Sequence, residues 1–229
     1  MNFMLQDLNW MDVERYLERD NRIILLTGAT EQHAYLSLLT DILIPSRLAL
    51  AIAERENVLI APPFNFGVSE LFLDFPGTIS LSPASFDAVL NDIVDSLIMQ
   101  GFSRFFILNG HGGNKLPSRL TELHLEGLAV ISWYDWWRSD AVKDFEDEYG
   151  LAMDHANWGE NFTFNRLVDS PREPKNTVNL DLLSEGNTAR EVLGDGCFGG
   201  EYQVADDLMQ LLFERVVEEA ASHVAALKE

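Results

Sequence analysis

The sequence has little cysteine, little positive charge and no long apolar run. Cys197 is the single cysteine among 229 residues. This excludes an intramolecular disulfide framework and favours a reducing cytoplasmic location, with Cys197 as a packing residue. The 16 Lys and Arg stand against 37 Asp and Glu, for a formal net charge of −21, which disfavours binding to nucleic acid or anionic lipid. No run approaches the roughly 20 apolar residues of a membrane span, and the first residues do not resemble a signal peptide.

Short apolar segments alternate with helical patterns along the whole chain. Strands are predicted at 22–27, 58–61, 105–108 and 128–132, and helices at 44–56, 83–100 and 202–227. Ser82 and Pro83 supply an N-cap and a first helical position, and Gly101 ends the same helix. The alternation predicts one α/β domain over residues 1–229, with a mostly parallel sheet covered by helices on both faces. Residues 169–202 are predicted to form an irregular excursion, of the kind that makes a lid or a subunit contact.

Histidines and carboxylates follow two of the predicted strands. His111 stands in a glycine-rich turn directly after 105–108, and Glu31 and His33 follow 22–27. Residues two apart in an extended segment point to the same side, so Glu31 and His33 can face one pocket, and Asp41 ends the loop after them. Oxygen and imidazole donors without thiolate suit a hard or borderline dication. The pattern predicts a metal site; taken alone, Glu31 could cap a turn and His33 could be an ordinary surface histidine.

A third cluster lies at 154–161, where His155 and Glu160 are five residues apart. Glu160 stands before a predicted helical stretch at 162–168, so it could either cap that helix or face a metal. Trp158, between them, is predicted to stack on a flat substrate. Trp136 and Trp137 are predicted to be packing or subunit-contact residues, because large aromatic side chains dominate cores and interfaces.

These motifs together resemble the creatininase (creatinine amidohydrolase) family. They occur in the family's order and span most of the chain: TGATEQH at 27–33, TD at 40–41, FPGTISL at 75–81, NGHGGN at 109–114 and HANWGE at 155–160. The resemblance implies a βα sandwich, assembly into hexamers and a site for two divalent metal ions. Zinc is the first expectation, with manganese or iron as alternatives.

The resemblance also implies a role for each matching residue. Glu31 and His111 would bind one metal, His33 the other, and Asp41 would bridge them. Creatininase itself has a glutamate where this chain has Gly113, and Glu160 is the candidate that replaces it. His155 matches the histidine that assists proton transfer, and Gly112 and Gly113 are candidate substrate-binding positions.

The predicted activity is hydrolysis of a linear or cyclic amide C–N bond by a metal-bridging hydroxide, with His155 as general acid. The family loop after the first histidine commonly contains Gly-Pro-His-Leu-Pro, whereas this chain has AYLS at 34–37 and is one residue shorter. We therefore expect a small-molecule amide other than creatinine, with a non-peptide and possibly cyclic amide bond. Alternatives are a formamidopyrimidine-type deformylase of the same family and a degenerate member that binds metal without catalysis. A sugar- or nucleotide-binding module is disfavoured, since the chain has no G-x-G-x-x-G or P-loop pattern.

Overall fold

The fold is built on a four-stranded parallel sheet. The computed structural model describes residues 2–228. Its strands are β1 (Arg22–Thr27), β2 (Leu59–Ile60), β3 (Arg104–Asn109) and β4 (Val130–Asp135). They lie in the order β2-β1-β3-β4, and every pairing is parallel. The α/β class with a parallel sheet is confirmed.

Helices cover both faces of this sheet. The helices within residues 2–228 are α1 (Trp10–Leu17), α2 (Thr40–Glu56), α3 (Pro83–Gln100), α4 (Ser118–Leu125), α5 (Asp140–Tyr149), α6 (Asp181–Ser184), α7 (Ala189–Leu193) and α8 (Asp206–Ala226). One core cluster joins the sheet to α2, α5 and α8, and a second joins it to α1, α3 and α4. The molecule therefore has three layers, as predicted.

Strand β1 shows why both faces are covered. All six of its residues are buried. Ile24 and Leu26 point into the cluster with α2 and α8, whereas Ile23 and Leu25 point into the cluster with α1 and α3. Successive side chains of a strand face opposite sides, so a continuous apolar run is stable only where both sides are packed.

Several element boundaries differ from the sequence predictions. Helix α2 begins at Thr40 rather than at residue 44, which places Asp41 in its first turn instead of in a loop. The helix predicted over 162–168 is wrong, because this stretch forms turns and a single bridge. Strand β4 begins two residues later than predicted, and α1, α4 and α5 were not predicted. These three helices are only 8 to 10 residues long, and each buries one or two side chains.

The excursion at 169–202 is irregular apart from the short helices α6 and α7. It is held together by Lys175, whose Nζ donates to the carbonyl oxygens of Leu193 and Cys197 and to Asp195. Cys197 is buried, and burial raises the pKa of its thiol to about 11, as suits a packing residue. Among residues 2–228, no helix combines the length and apolarity needed to cross a bilayer. That the whole chain is one domain stays a prediction.

Candidate metal centre

The candidate site lies at the carboxyl ends of β1 and β3, where open α/β folds place their ligands. Thr27 and Asn109 are the last residues of these strands and are paired in register. The chain then continues into the Glu31–His33 loop on one side and into the His111 loop on the other. The N-terminal turn of α2 brings Asp41 between the two loops.

Two glycines allow α2 to come this close. A Cβ atom at Gly28 would lie 2.2 Å from the carbonyl oxygen of Asp41, and one at Gly110 would lie 2.0 Å from the same atom. Contacts this short do not occur between real Cβ atoms and backbone. Both positions therefore require glycine for the backbone of α2 to pack directly against the strand ends.

Asp41 presents one carboxylate oxygen to each of two histidines. Its Oδ1 lies 2.9 Å from Nε2 of His33, and its Oδ2 lies 2.9 Å from Nδ1 of His111. Oε2 of Glu31 is 3.6 Å from Nε2 of His111, and Oε2 of Glu160 is 3.8 Å from Nε2 of His33. The side chains form two triads with one shared member: Glu31, Asp41 and His111 in one, and His33, Asp41 and Glu160 in the other.

Hydrogen bonds outside the triads indicate which histidine nitrogens are free to bind metal. Nδ1 of His33 lies 3.1 Å from the carbonyl oxygen of Glu31, and Nε2 of His111 lies 2.8 Å from that of Val68. A carbonyl oxygen can only accept, so each of these nitrogens carries a proton. The neutral rings then present lone pairs on Nε2 of His33 and Nδ1 of His111, both toward Asp41. Metal-binding histidines typically donate a hydrogen bond from their other ring nitrogen in this way.

The residues present fit a pair of cations. With both histidines neutral, as a bound metal requires, Oε2 of Glu31 and Oδ2 of Asp41 are buried and accept no hydrogen bond from any described residue. A buried carboxylate oxygen without a partner is costly, and a bound cation would remove that cost. Ligand atoms around a four-coordinate zinc lie about 3.3 Å apart, as follows from Zn–N bonds of about 2.0 Å. Asp41 lies 2.9 Å from each histidine, and the candidate ligand atoms of each triad lie within 4.8 Å of one another.

Glu160 brings to the cluster the carboxylate that position 113, a glycine, does not supply. A Cβ atom at Gly113 would lie 1.9 Å from the carbonyl oxygen of Val68 and 2.6 Å from Nε2 of His111, so this position admits no side chain. Glu160 instead reaches the centre from the end of a 3₁₀ helix at Trp158–Glu160. Its side chain is 13% exposed, and Oε2 also accepts from the backbone N–H of Ala156.

The protonation equilibria of the metal-free cluster are strongly shifted. Burial raises the pKa of Glu31 and that of Glu160 to about 7, although His111 and His33, respectively, oppose the rise. Burial alone would lower the pKa of both metal-facing histidines. The Asp41 carboxylate nevertheless raises that of His33 to about 10 and that of His111 to about 9. Without metal, the centre therefore retains protons that a metal would displace.

This arrangement predicts an unusual pH dependence for the metal-free protein. The stabilisation from protonated His33 and His111 is complete below their unfolded pKa, and it is lost as the pH rises toward 9 to 10. Glu31 and Glu160 act in the same direction, because their raised pKa makes ionisation through pH 7 destabilising. We expect the Tm of the chelator-treated protein to fall by about 5 °C or more between about pH 5 and pH 9. Calorimetry with and without saturating metal checks this, since an equal fall in both forms would contradict it.

His155 stands beside the two triads. Its Nδ1 lies 3.7 Å from Oε1 of Glu31, and its ring is 4.6 Å from that of His33. Phe72 stacks on it at 4.6 Å and 18°, and Phe198 from the excursion lies 5.0 Å away. Burial and the nearby His33 and His111 hold the pKa of His155 well below its ordinary value.

A cavity of about 530 Å³ opens onto the cluster. Gly112 and Gly113 line it, and their role in substrate binding stays a prediction. The prediction for Trp158 is wrong, because this side chain is 1% exposed and packs against Phe145 in the core. Trp137 packs on Trp136 and the core, as predicted, and also lines the cavity.

Several other residues at the site had no predicted role. Asn109 accepts from Thr27 and donates to the carbonyl oxygen of His111, which fixes the turn that carries this histidine. Asn114 donates to the carbonyl oxygen of Gly28 and so joins the two loops. Gln32 and Phe198 contact His155. Both asparagines and Gln32 belong to the family motifs, which was the one indication in the sequence that they matter.

The fold and the cluster define an α/β protein with a candidate two-metal centre at the ends of its parallel strands. A family model described as creatinine amidohydrolase matches residues 6–224. The chain belongs to the creatininase family.

Individual relatives agree with this assignment. The chain is 28% identical over 154 residues to the creatinine amidohydrolase of Pseudomonas putida, a match that spans 59% of each chain. It is 32% identical over 114 residues to the mycofactocin precursor peptide peptidase of Mycolicibacterium smegmatis, spanning 46% of each. The matches therefore extend over only about half the length of these curated relatives. A solved structure titled "Creatininase Mn" covers 98% of both chains, with a TM-score of 0.78 and 21% identity, and shows the shared fold.

Proposed function

We propose that this protein is a metal-dependent hydrolase of an amide C–N bond. The observation that carries the proposal is the pair of triads sharing Asp41, in which Oε2 of Glu31 and Oδ2 of Asp41 are buried without hydrogen bonds and the lone pairs of neutral His33 and His111 face Asp41. Family members named creatinine amidohydrolase and precursor peptide peptidase both cleave amide bonds, which supports this class of reaction.

Glu31, His111 and Asp41 would hold one divalent ion, and His33, Glu160 and Asp41 the other. Zinc suits this set of oxygen and nitrogen donors, and manganese and iron are compatible with it. When bound, such ions polarise a carbonyl group and lower the pKa of water so that it is nucleophilic near neutral pH.

The chain itself supplies orientation and a proton donor. His155 is the proposed catalytic residue, placed to donate toward the leaving nitrogen from the same side as Glu31. Phe72, Phe198 and Trp137 give the cavity an aromatic wall beside these groups.

The cavity favours a substrate larger than creatinine. Its volume of about 530 Å³ falls in the range of roughly 300–1,000 Å³ that holds drug-sized ligands. Arg138 is the one Lys or Arg among the described residues that line it, and its guanidinium forms no hydrogen bond or ion pair with them. We propose a small amide with an acidic group, such as the carboxylate end of a peptide-like molecule. A formamide that carries phosphate presents related chemistry and belongs in the same screen.

The first experiment is elemental analysis of the purified protein before and after chelation, followed by an amide screen with the metal found. About two equivalents of metal per chain with turnover of an acidic amide would support the proposal. Metal without turnover of creatinine, peptide-like amides or formamides would favour a non-catalytic family member. No metal after reconstitution would overturn the proposal.

The assembly and location are also proposals. We expect a homo-oligomer, a hexamer by family, in the cytoplasm. Leu73, Leu167 and Val168 are each at least 57% exposed and could be covered by another copy. Light scattering after size-exclusion chromatography measures the assembly directly.

Glu160→Gln should weaken only one of the two proposed metal sites. The neutral amide keeps the size of the side chain but is a weaker ligand, so we expect metal content to fall to about one equivalent and turnover to fall by about 10²-fold or more. Glu201→Gln, at an exposed position, is the matched control. Full metal content in the Glu160→Gln protein would show that Glu160 is not a ligand.

A further inference from the structure

His155 could in principle play either of two roles. It forms a third potential metal-binding group with Glu31 and His33, which would make it a ligand. It could instead donate a hydrogen bond to the substrate. The choice depends on which ring nitrogen carries the proton, because only an unprotonated nitrogen binds metal. Nδ1 is the nitrogen that faces Glu31, at 3.7 Å from Oε1.

Gln32 contacts the other nitrogen. Its Nε2 lies 2.8 Å from Nε2 of His155. The orientation of the carboxamide is determined by two independent backbone partners: Oε1 accepts from the N–H of Ala34 at 3.1 Å, and Nε2 donates to the carbonyl oxygen of Gly196 at 3.0 Å. Turning the amide over would set donor against donor at Ala34 and acceptor against acceptor at Gly196.

The backbone around Gln32 supports this orientation. Ala34 adopts a left-handed conformation, with φ of 49°, in which its N–H points back at Gln32. A Cβ atom at Gly196 would lie 1.8 Å from Oε1 of Gln32, so glycine is needed for the close approach of the excursion. The stack with Phe72 also holds the His155 ring, and the N–H of Phe198 donates a hydrogen bond to the backbone carbonyl oxygen of His155.

We propose that Gln32 is a positioning residue that holds His155 as the tautomer with its proton on Nδ1, so that His155 donates a hydrogen bond into the pocket and does not bind metal. The amide of Gln32 donates, so Nε2 of His155 must accept. The proton then lies on Nδ1, on the side of the candidate metal centre. The role of this donor rests on the amidohydrolase function proposed above, whereas the tautomer and the ligand set do not.

Nitrogen-15 NMR of the histidine rings, in the metal-free and zinc-loaded protein, reads the tautomer directly. We expect Nδ1 of His155 to be protonated and Nε2 to be unprotonated, with the signals assigned by their loss in His155→Gln. Gln32→Glu replaces the donor by an acceptor and should move the proton to Nε2. Gln32→Met removes both polar groups and should leave a mixture. Gln203→Met, at an exposed position, is the control.

Metal content and kinetics complete the test. We expect His155→Gln and Gln32→Glu to keep the wild-type metal content, and Gln32→Glu to lower kcat by about 10²-fold with a change in KM below about threefold. A proton on Nε2 in the wild type, or loss of metal from His155→Gln, would overturn the proposal. If no amide is hydrolysed, the activity proposal fails, while the tautomer and metal measurements still decide the assignment of His155.

Discussion

Asp41→Asn should abolish binding of both metals and reduce amide hydrolysis by at least about 10³-fold. The two oxygens of Asp41 face different histidines, each at 2.9 Å, so this residue belongs to both triads. Asparagine has one oxygen, carries no charge and would turn its NH₂ group toward one of the two lone pairs. No other proposed ligand is shared, which is why the expected loss exceeds that for Glu160→Gln.

The measurement is elemental analysis together with turnover on the substrate found in the screen. Asparagine has nearly the volume of aspartate, so the variant should fold, and circular dichroism and a thermal melt check this. Asp147→Asn, on the exposed side of α5, is the matched control and should behave as wild type. An Asp41→Asn protein that kept its metals and its activity would contradict the shared-ligand arrangement.

Gly110→Ala should remove metal binding although it changes no ligand. Its new methyl group would stand 2.0 Å from the carbonyl oxygen of Asp41 and 2.8 Å from Cγ of Pro45. Helix α2 must therefore move away from β3, and Asp41 moves with it. Overpacking against backbone cannot be relieved by a side-chain rotation, so we expect the free energy of unfolding to fall by about 3 kcal/mol or more.

Gly112→Ala provides the comparison within the same loop. A Cβ atom there has its nearest neighbour, the indole of Trp137, at 3.9 Å, which is an ordinary contact. We expect its stability to change by less than about 1 kcal/mol and its metal content to be unchanged. Denaturant unfolding and elemental analysis on both variants give the result. If both glycines tolerate alanine equally, close packing of α2 does not create the site.

Parts of the fold were predictable because their determinants are local. Strand β1 was predicted with its observed bounds, since the apolar run of residues 23–26 between Arg22 and Thr27 is typical of a strand buried on both faces. Helix α3 was predicted with its cap, because Ser82 accepts from the backbone at one end and Gly101 takes a left-handed conformation at the other. The short helices α1, α4 and α5 were missed, since their stability comes largely from packing on the sheet.

The candidate site was likewise predictable from the sequence only in part. The chain alone placed Glu31, His33 and His111 after strands, and parallel strands end at one edge of a sheet, so their proximity followed from the pattern. It could not show that Asp41 presents one oxygen to each histidine, because that depends on the start of α2 and on the close approach that Gly28 and Gly110 allow.

Position along the sequence was also a poor guide to where two of the tryptophan side chains lie. Trp158 is a neighbour of His155 along the chain, yet the 3₁₀ turn directs it into the core, while Trp137 reaches the cavity from the end of β4. The sequence by itself determined the fold class, the family and the residue types at the centre, because apolar periodicity and motif order are properties of the chain. Only the tertiary structure decided which atom of each side chain faces which partner, because that depends on how separate segments pack together; Gln32 and His155, for example, are 123 residues apart.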